Sequence, residues 1–323
     1  MLLAITYPSW IHPEILPGVP VLGVLRWYGL MYIFAFATAF LVLKKLAKEG
    51  ALSANASAVS DDDVSSCIST GILFLLVGAR LFSTLVYDTS GIYRQKPWLV
   101  FWPFEGGRFT GLAGMSYHGG FIGGLCGIIF WCRRKKQPFF KWLDAFAVAI
   151  PLGYTFGRIG NFLNGELFGR VTTAPWGVIF PRAETFSYGI GWVRELADKA
   201  RLAVPPEGAA LINLPRHPSQ LYEAFFEGIA LFALLWRIRK HKPFDGFLGA
   251  AYTVGYGVVR FCIEYFREPD TDLGYRFSVS DAPTYLNESL LNISTGQVLS
   301  LCMIAAGLAF IAVRALTLRR RSV

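Results

Sequence analysis

Long apolar runs alternate with short polar segments along this chain. A membrane-spanning helix needs roughly 20 apolar residues. Seven stretches meet that requirement: about 24–43, 66–87, 113–132, 143–164, 218–236, 246–266 and 296–314. Lys44, Lys45 and Lys48 follow the first run, and Arg133, Arg134, Lys135 and Lys136 the third. Arg237, Arg239, Lys240 and Lys242 follow the fifth, and Arg319, Arg320 and Arg321 the seventh. Basic clusters beside spans mark the cytoplasmic side. Every odd-numbered run therefore ends inside, with the N-terminus outside and the C-terminus inside. The expected fold class is an all-α integral membrane protein with seven transmembrane helices, a single polytopic domain over residues 1–323. The longest outer connection, 165–217, mixes proline, glycine and charge and predicts a small extracytoplasmic cap. The inner loop at 51–63 is Ala/Ser-rich and ends in Asp61–Asp63, a solvated linker feeding the second span.

Composition agrees with this pattern. Of 323 residues, 54% are hydrophobic and 16% charged, against about 45–50% and about 25% in soluble domains. That excludes an ordinary soluble protein, and the ample apolar surface excludes disorder. Nine Trp, 14 Tyr and 27 Phe suit aromatic belts at the membrane interfaces. The net charge of +9 is explained by the clusters at the inner span ends, so no nucleic-acid partner is expected. Cys67, Cys126, Cys132, Cys262 and Cys302 form no CxxC and no Cys/His ligand cluster. They read as small apolar residues, and no metal site is expected. The opening MLLAITYPSW has no basic n-region and no cleavage site; no signal peptide is expected and the first span is retained.

Charges inside apolar runs are expensive and mark function. Arg80, Arg158 and Arg260 lie in the outward halves of spans two, four and six, with His118 and Arg267 toward the same side. Such a gathering of cations predicts an anionic ligand reached from the outer leaflet, and a phospholipid phosphate fits that depth. Arginine suits it because its planar fork binds phosphate in bidentate fashion. In span six, Tyr256, Arg260, Glu264 and Arg267 fall at steps of four, four and three, a polar stripe on one helix face. Glu264 is placed to orient the two arginines. In span five, Gln220, Glu223 and Glu227 share a face, and pairing with arginines of neighbouring spans is the favoured reading. Span four ends in GRIGNFLNGELFGR. Arg158 and Asn161 share a face there, and Asn164 and Glu166 lie beyond a break at Gly165. Glycines 157, 160, 165 and 169 allow close approach by a ligand or another helix. Gly119, Gly120, Gly123 and Gly124 form two overlapping small-xxx-small pairs at the start of span three. Helix packing is the favoured reading for them. His118 just before them is a side-chain type suited to moving a proton near neutral pH, although a lone histidine is also commonly structural.

The segment Gly157-Arg158-Ile159-Gly160-Asn161-Phe162-Leu163-Asn164-Gly165-Glu166-Leu167-Phe168-Gly169 resembles the signature of bacterial prolipoprotein diacylglyceryl transferases. Arg26-Trp27-Tyr28-Gly29-Leu30-Met31-Tyr32, Gly78-Ala79-Arg80-Leu81, Ser116-Tyr117-His118-Gly119-Gly120, His217-Pro218-Ser219-Gln220-Leu221-Tyr222-Glu223 and Tyr256-Gly257-Val258-Val259-Arg260-Phe261 resemble the same family in the same order. The resemblance runs from about residue 20 to about 268, while 268–295 and 51–63 look longer than the family pattern. It implies transfer of the diacylglyceryl group of phosphatidylglycerol to the lipobox cysteine of a preprolipoprotein. A thioether forms and glycerol 1-phosphate leaves, the first step of bacterial lipoprotein maturation. The implied location is the bacterial cytoplasmic (inner) membrane, with the site facing the periplasmic leaflet and 165–217 as a periplasmic cap insertion.

The residues fit that chemistry. The nucleophile sits on the substrate, and the leaving phosphate calls for cations. A free thiol titrates near about 8.5, and only the thiolate attacks well. His118 is the candidate base; Arg260 with Tyr256 is the alternative source of activation. Arg158 and Arg260 are expected to stabilise charge on the departing phosphate. Asn161, Glu166 and Tyr28 are expected at the lipid head group, with Gly119, Gly120, Asn164, Gly169, Glu264 and Arg80 in support. No cofactor is expected. An anionic-lipid transporter would share the buried arginines, but no inverted repeat or long internal repeat is visible.

Overall fold

The computed structural model describes residues 4–16, 26–53, 59–105, 107–109, 114–203, 211–269, 274–279 and 283–321. Residues 24–25 and 113 of the expected spans, 54–58 of the inner loop, 204–210 of the cap and 270–273 and 280–282 of the last outer connection lie outside them. The described fold is mainly helical. Its helices are α1 (Trp27–Lys48), α2 (Asp61–Leu85), the short α3 (Ile92–Gln95), α4 (Tyr117–Arg134), α5 (Phe139–Leu163), α6 (Gly191–Lys199), α7 (Ser219–Glu223), α8 (Leu231–Ile238), α9 (Phe247–Ile263) and α10 (Thr295–Arg321). A π-helical segment, Ala224–Ala230, joins α7 to α8. Among the described residues, α1, α2 and α10 are long and apolar enough to cross a membrane, and α9 is a shorter apolar helix. On α10, Leu299, Leu308 and Val313 are all more than half exposed, the surface expected of a helix bathed in lipid rather than water.

Local chemistry sets the helix ends. Ser60 caps α2: its Oγ accepts from the Asp63 N–H at 3.1 Å, and the Asp63 carboxylate accepts from the Ser60 N–H at 3.3 Å. Asp61–Asp63 form the first turn of α2, the helix start at which the dipole favours anions and where the sequence places them. Ser116 caps α4 from one side only, its Oγ accepting from the Gly119 N–H at 3.2 Å. At the end of α5 the Tyr7 hydroxyl donates to the Phe162 and Leu163 carbonyls at 2.9 and 3.1 Å. The chain then turns at Gly165 with φ of +63°, a conformation that suits glycine.

The chain divides into two compact units, Phe40–Ala145 and Met1–Ala39 with Phe146–Val323. In the first, α2 and α4 pack through small residues. A Cβ on Gly78 would stand 2.8 Å from the Gly123 Cα, and one on Gly119 would strike the Gly78 carbonyl. Only hydrogen at these positions permits the approach, the usual device of membrane helices. Near the other end of α4, the Trp131 and Trp142 rings lie 4.6 Å apart, and the Trp131 indole donates to Ser66 Oγ at 2.9 Å.

In the second unit α9 packs on α10, and the segment from α7 to α8 packs on α5 and α9. Pro151 within α5 lacks an N–H, so that helix cannot close its normal bond there. Four residues on, the Thr155 hydroxyl donates to the Pro151 carbonyl at 3.3 Å and to the Ala224 carbonyl at 3.1 Å, which ties α5 to the π segment. Gly228 lies against Thr155, with its Cβ position 3.2 Å from the Pro151 carbonyl oxygen. The fifth apolar run, about 218–236, is thus a helix widened at Ala224–Ala230 into a π segment against a proline-containing neighbour.

Segment 165–217 and the N-terminal residues depart from the all-α expectation by carrying short strands. β1 (Ile5–Thr6) runs parallel to β4 (Val178–Ile179), and β5 (Thr185–Ser187) pairs antiparallel with β6 (Leu211–Asn213). With α6 they close a small core of Val171, Phe186, Val193, Ala197, Ile212 and Leu214. Two further antiparallel pairs are β2 (Phe104–Glu105) with β3 (Arg108–Phe109), and β7 (Tyr275–Phe277) with β8 (Ile293–Ser294).

Candidate functional site

In the second unit, α5, α7 and α9 bring a set of ionised side chains to one buried place. Glu223 at the end of α7 is its centre, with no solvent exposure. Its Oε2 lies 3.0 Å from Arg158 Nε on α5 and accepts from Arg260 Nη1 on α9, also at 3.0 Å. The Tyr154 hydroxyl donates to the same oxygen at 3.1 Å. Two guanidinium groups from separate helices thus meet at one carboxylate oxygen. Arg260 also reaches Glu264 through Nε at 3.1 Å, one helical turn on. Arg267 lies at 3.9 Å from Glu223 and 4.0 Å from Glu264. Glu227, in the π segment and also unexposed, faces Arg260 Nη1 at 3.6 Å. Buried charges persist only when paired in this way.

The glycine-rich signature extends the network toward the surface. Arg158 Nη1 donates to Asn161 Oδ1 at 3.4 Å, and Asn161 and Asn164 donate to Glu166 Oε1 at 3.0 and 3.3 Å. Gln220 on α7 anchors the turn by donating to the Glu166 carbonyl at 2.7 Å. Arg158, Asn161, Asn164 and Glu166 therefore form one hydrogen-bonded chain, joined through Glu223 to Arg260 and Glu264. Tyr256 stands edge-on to Tyr154 at 6.1 Å between ring centres, and the Arg158 guanidinium lies 4.7 Å from the Tyr154 ring. Tyr28, in the first turn of α1, packs beside Gly160, whose Cβ position is 3.4 Å from its ring, and shares a hydrogen bond of 3.3 Å with Tyr32.

Five sequence candidates have other surroundings. Arg80, 4% exposed, donates to the Val100, Leu99 and Gly114 carbonyls at 2.6, 3.0 and 3.3 Å. Its guanidinium holds the loops after α2 rather than standing open to an anion. Gly119 and Gly120 are buried in the packing of α4 on α2. Gly169 pairs through its backbone with His217, and its Cβ position meets the Phe266 carbonyl. His118 is exposed on α4, and its Nδ1 lies 2.8 Å from the Tyr87 hydroxyl.

Sequence reasoning passed over Tyr154, although its place four residues before Arg158 puts both on one helix face. It also left Glu223, the hub, out of the site. Arg170 and Arg216 of the cap were missed as well. Arg216 is fully buried, 5.3 and 5.4 Å from the Phe168 and Phe186 rings, and pairs with Glu268. Arg170 donates to the Arg267 carbonyl at 2.9 Å, fixing the end of the polar stripe to the cap. Burial pulls the His217 imidazole down to about 4, so His217 is neutral at physiological pH and packs beside Tyr222.

Such a network suits binding of a phosphate ester among paired guanidinium groups, with tyrosines and a tightly held loop around it. The family model of prolipoprotein diacylglyceryl transferase matches residues 19–313. The chain is similar to phosphatidylglycerol–prolipoprotein diacylglyceryl transferases of several bacteria. It is 54% identical to that of Treponema denticola over 322 residues, 96% of this chain and 94% of the relative. It is 51% identical to that of Treponema pallidum, over 95% of this chain and 94% of the relative. The protein of Chlorobaculum tepidum is 40% identical over 93% of this chain and 89% of its own length. The chain belongs to the prolipoprotein diacylglyceryl transferase family.

Proposed function

We propose that this protein transfers the diacylglyceryl group of phosphatidylglycerol to the lipobox cysteine thiol of preprolipoproteins, the first step of lipoprotein maturation. The thiolate attacks the glycerol carbon that carries the phosphate. A carbon–sulfur bond forms, the carbon–oxygen bond to phosphate breaks, and glycerol 1-phosphate leaves. The observation that carries this reading is the convergence of Arg158 and Arg260, from two helices, on one oxygen of Glu223. Guanidinium groups fixed in this manner stabilise the negative charge that grows on the departing phosphate. Asn161 and Glu166 hold Arg158 and the head group, and Tyr28 lines the lipid. His118 is the base that takes the thiol proton; activation by Arg260 with Tyr256 is the other route. Gly169, Asn164 and Glu264 support this arrangement through the contacts described above, while Arg80, Gly119 and Gly120 act in support by holding the α2–α4 pair and the loops after α2.

Seven spans carry this chemistry, with the N-terminus outside, the C-terminus inside and 165–217 as the periplasmic cap. The setting is the bacterial inner membrane, and the site opens to the outer leaflet. Basic clusters after every odd-numbered apolar run support that orientation. The test is incubation of purified protein with phosphatidylglycerol and a lipobox peptide. The expected result is a peptide mass gain of one diacylglyceryl group, lost on Cys→Ser in the peptide and cut by at least about 100-fold in Arg158→Ala.

A further inference from the structure

The buried ionic cluster is balanced before any lipid arrives. Arg158, Arg260 and Arg267 face Glu223, Glu227 and Glu264. A phosphodiester docked on Arg158 and Arg260, as the proposed function requires, adds a fourth negative charge to three positive ones. Like charges in a shared buried site favour protonation of one of them. The three carboxylates have no room to leave, since Glu223 and Glu227 are unexposed and Glu264 is 2% exposed.

They differ in what holds their charged form. Glu223 Oε2 accepts from Tyr154 and Arg260 and lies beside Arg158. Glu264 is 3.1 Å from Arg260 Nε and accepts from the Ser294 hydroxyl at 3.3 Å. Neither Glu227 oxygen completes a hydrogen bond of good distance and angle among the described residues, although the Tyr154 hydroxyl stands beside it, and its ion pair with Arg260 spans 3.6 Å. The titratable and charged groups around it are Tyr154 and Arg158 on α5, Glu223 on α7, and Arg260 with neighbouring Tyr256 and Glu264 on α9. Of the three carboxylates it has the fewest contacts to lose on becoming neutral. Arg260, its sole ion-pair partner among the described residues, is a residue the phosphate engages.

We infer that Glu227 takes up one proton when the phosphate of phosphatidylglycerol docks on Arg158 and Arg260, so that admission of the lipid is coupled to protonation of a carboxylate in the π segment. An O–H bond forms on Glu227, solvent gives up one proton, and no bond of the lipid changes. Glu227 acts through Arg260 and is a positioning residue rather than a catalytic one.

The experiment is calorimetric titration of dihexanoyl phosphatidylglycerol into the detergent-solubilised protein, at several pH values and in two buffers of different ionisation enthalpy. The expected wild-type result is uptake of up to about one proton per lipid, with affinity falling by up to about tenfold per pH unit on the alkaline side. Glu227→Gln is expected to bind with no proton exchange and a flat pH profile. Glu227→Asp retains a titratable carboxyl and is expected to retain the exchange. Wild-type binding without proton exchange, exchange that persists in Glu227→Gln, or exchange lost in a folded Glu227→Asp overturns the inference and leaves the head-group site standing. A wild-type protein that binds no phosphatidylglycerol at any pH overturns both.

Discussion

Arg158 and Arg260 are held in place by the carboxylate with which a phosphate must compete. Each lies 3.0 Å from Glu223 Oε2, so in the proposed reaction a lipid phosphate would meet two guanidinium groups already aimed at a single point. Arg260 uses two sides of its fork, with Nη1 toward Glu223 and Nε toward Glu264. A lysine offers one compact ammonium and reaches only one of those directions. Arg260→Lys is therefore expected to lower kcat/KM by at least about tenfold while the charge is conserved. Rates of peptide lipidation measure this directly, and a near-normal rate shows that a point charge suffices. His118 raises a separate question, because its Nδ1 is engaged with the Tyr87 hydroxyl at 2.8 Å. Glutamine retains hydrogen-bonding capacity but does not take the thiol proton. His118→Gln is expected to lose activity together with one limb of the pH–rate profile. A retained profile assigns activation of the thiol to Arg260 with Tyr256 instead.

The π segment between α7 and α8 is the local structure on which that geometry rests. It follows Glu223 immediately and contains Glu227, so its winding sets how both carboxylates meet Arg260. Its cause is tertiary: Pro151 interrupts α5, Thr155 bonds across to the Ala224 carbonyl, and Gly228 admits Thr155 at contact distance. Gly228→Ala forces these apart, and overpacking of this kind costs about 1–3 kcal/mol. A lower melting temperature in detergent is expected, with a loss of kcat/KM larger than the stability change explains, because Glu223 moves with its turn. Activity at full wild-type level in the folded variant would separate the π turn from the site. This segment also marks where the sequence stopped being legible. Apolar runs located the helices well, and the GRIGNFLNGELFGR spacing located Arg158, Asn161 and Glu166. The π turn was hidden because its partners, Thr155 and Ala224, are 69 residues apart. The cap strands were hidden because segments of two or three residues are too short for an alternating pattern to register. Arg80 looked like Arg158 in sequence, and only the loop carbonyls around it reveal a different use.

Charge is sorted along the whole chain in two ways. Arg158, Arg260 and Arg267 are half-buried against acids, whereas the Lys/Arg clusters after the first, third, fifth and seventh apolar runs supply much of the chain's basic excess. In the proposed function the second group sets orientation and the first sets chemistry. They are linked, because a phosphate site reached from the outer leaflet requires the clusters to stay inside. Two exposed positions test this link. Asp198 lies in the last turns of α6 in the cap, and Lys48 ends α1 at the first basic cluster. Single cysteines at these positions, in a protein whose five native cysteines are replaced by alanine, are to be treated with a membrane-impermeant maleimide. In intact spheroplasts Asp198→Cys is expected to react and Lys48→Cys to stay unlabelled until the membrane is permeabilised. Equal labelling at Lys48→Cys in sealed cells would put the basic cluster outside. The lipid site would then have to face the cytoplasmic leaflet, where the thiol of a translocated preprolipoprotein does not reach it.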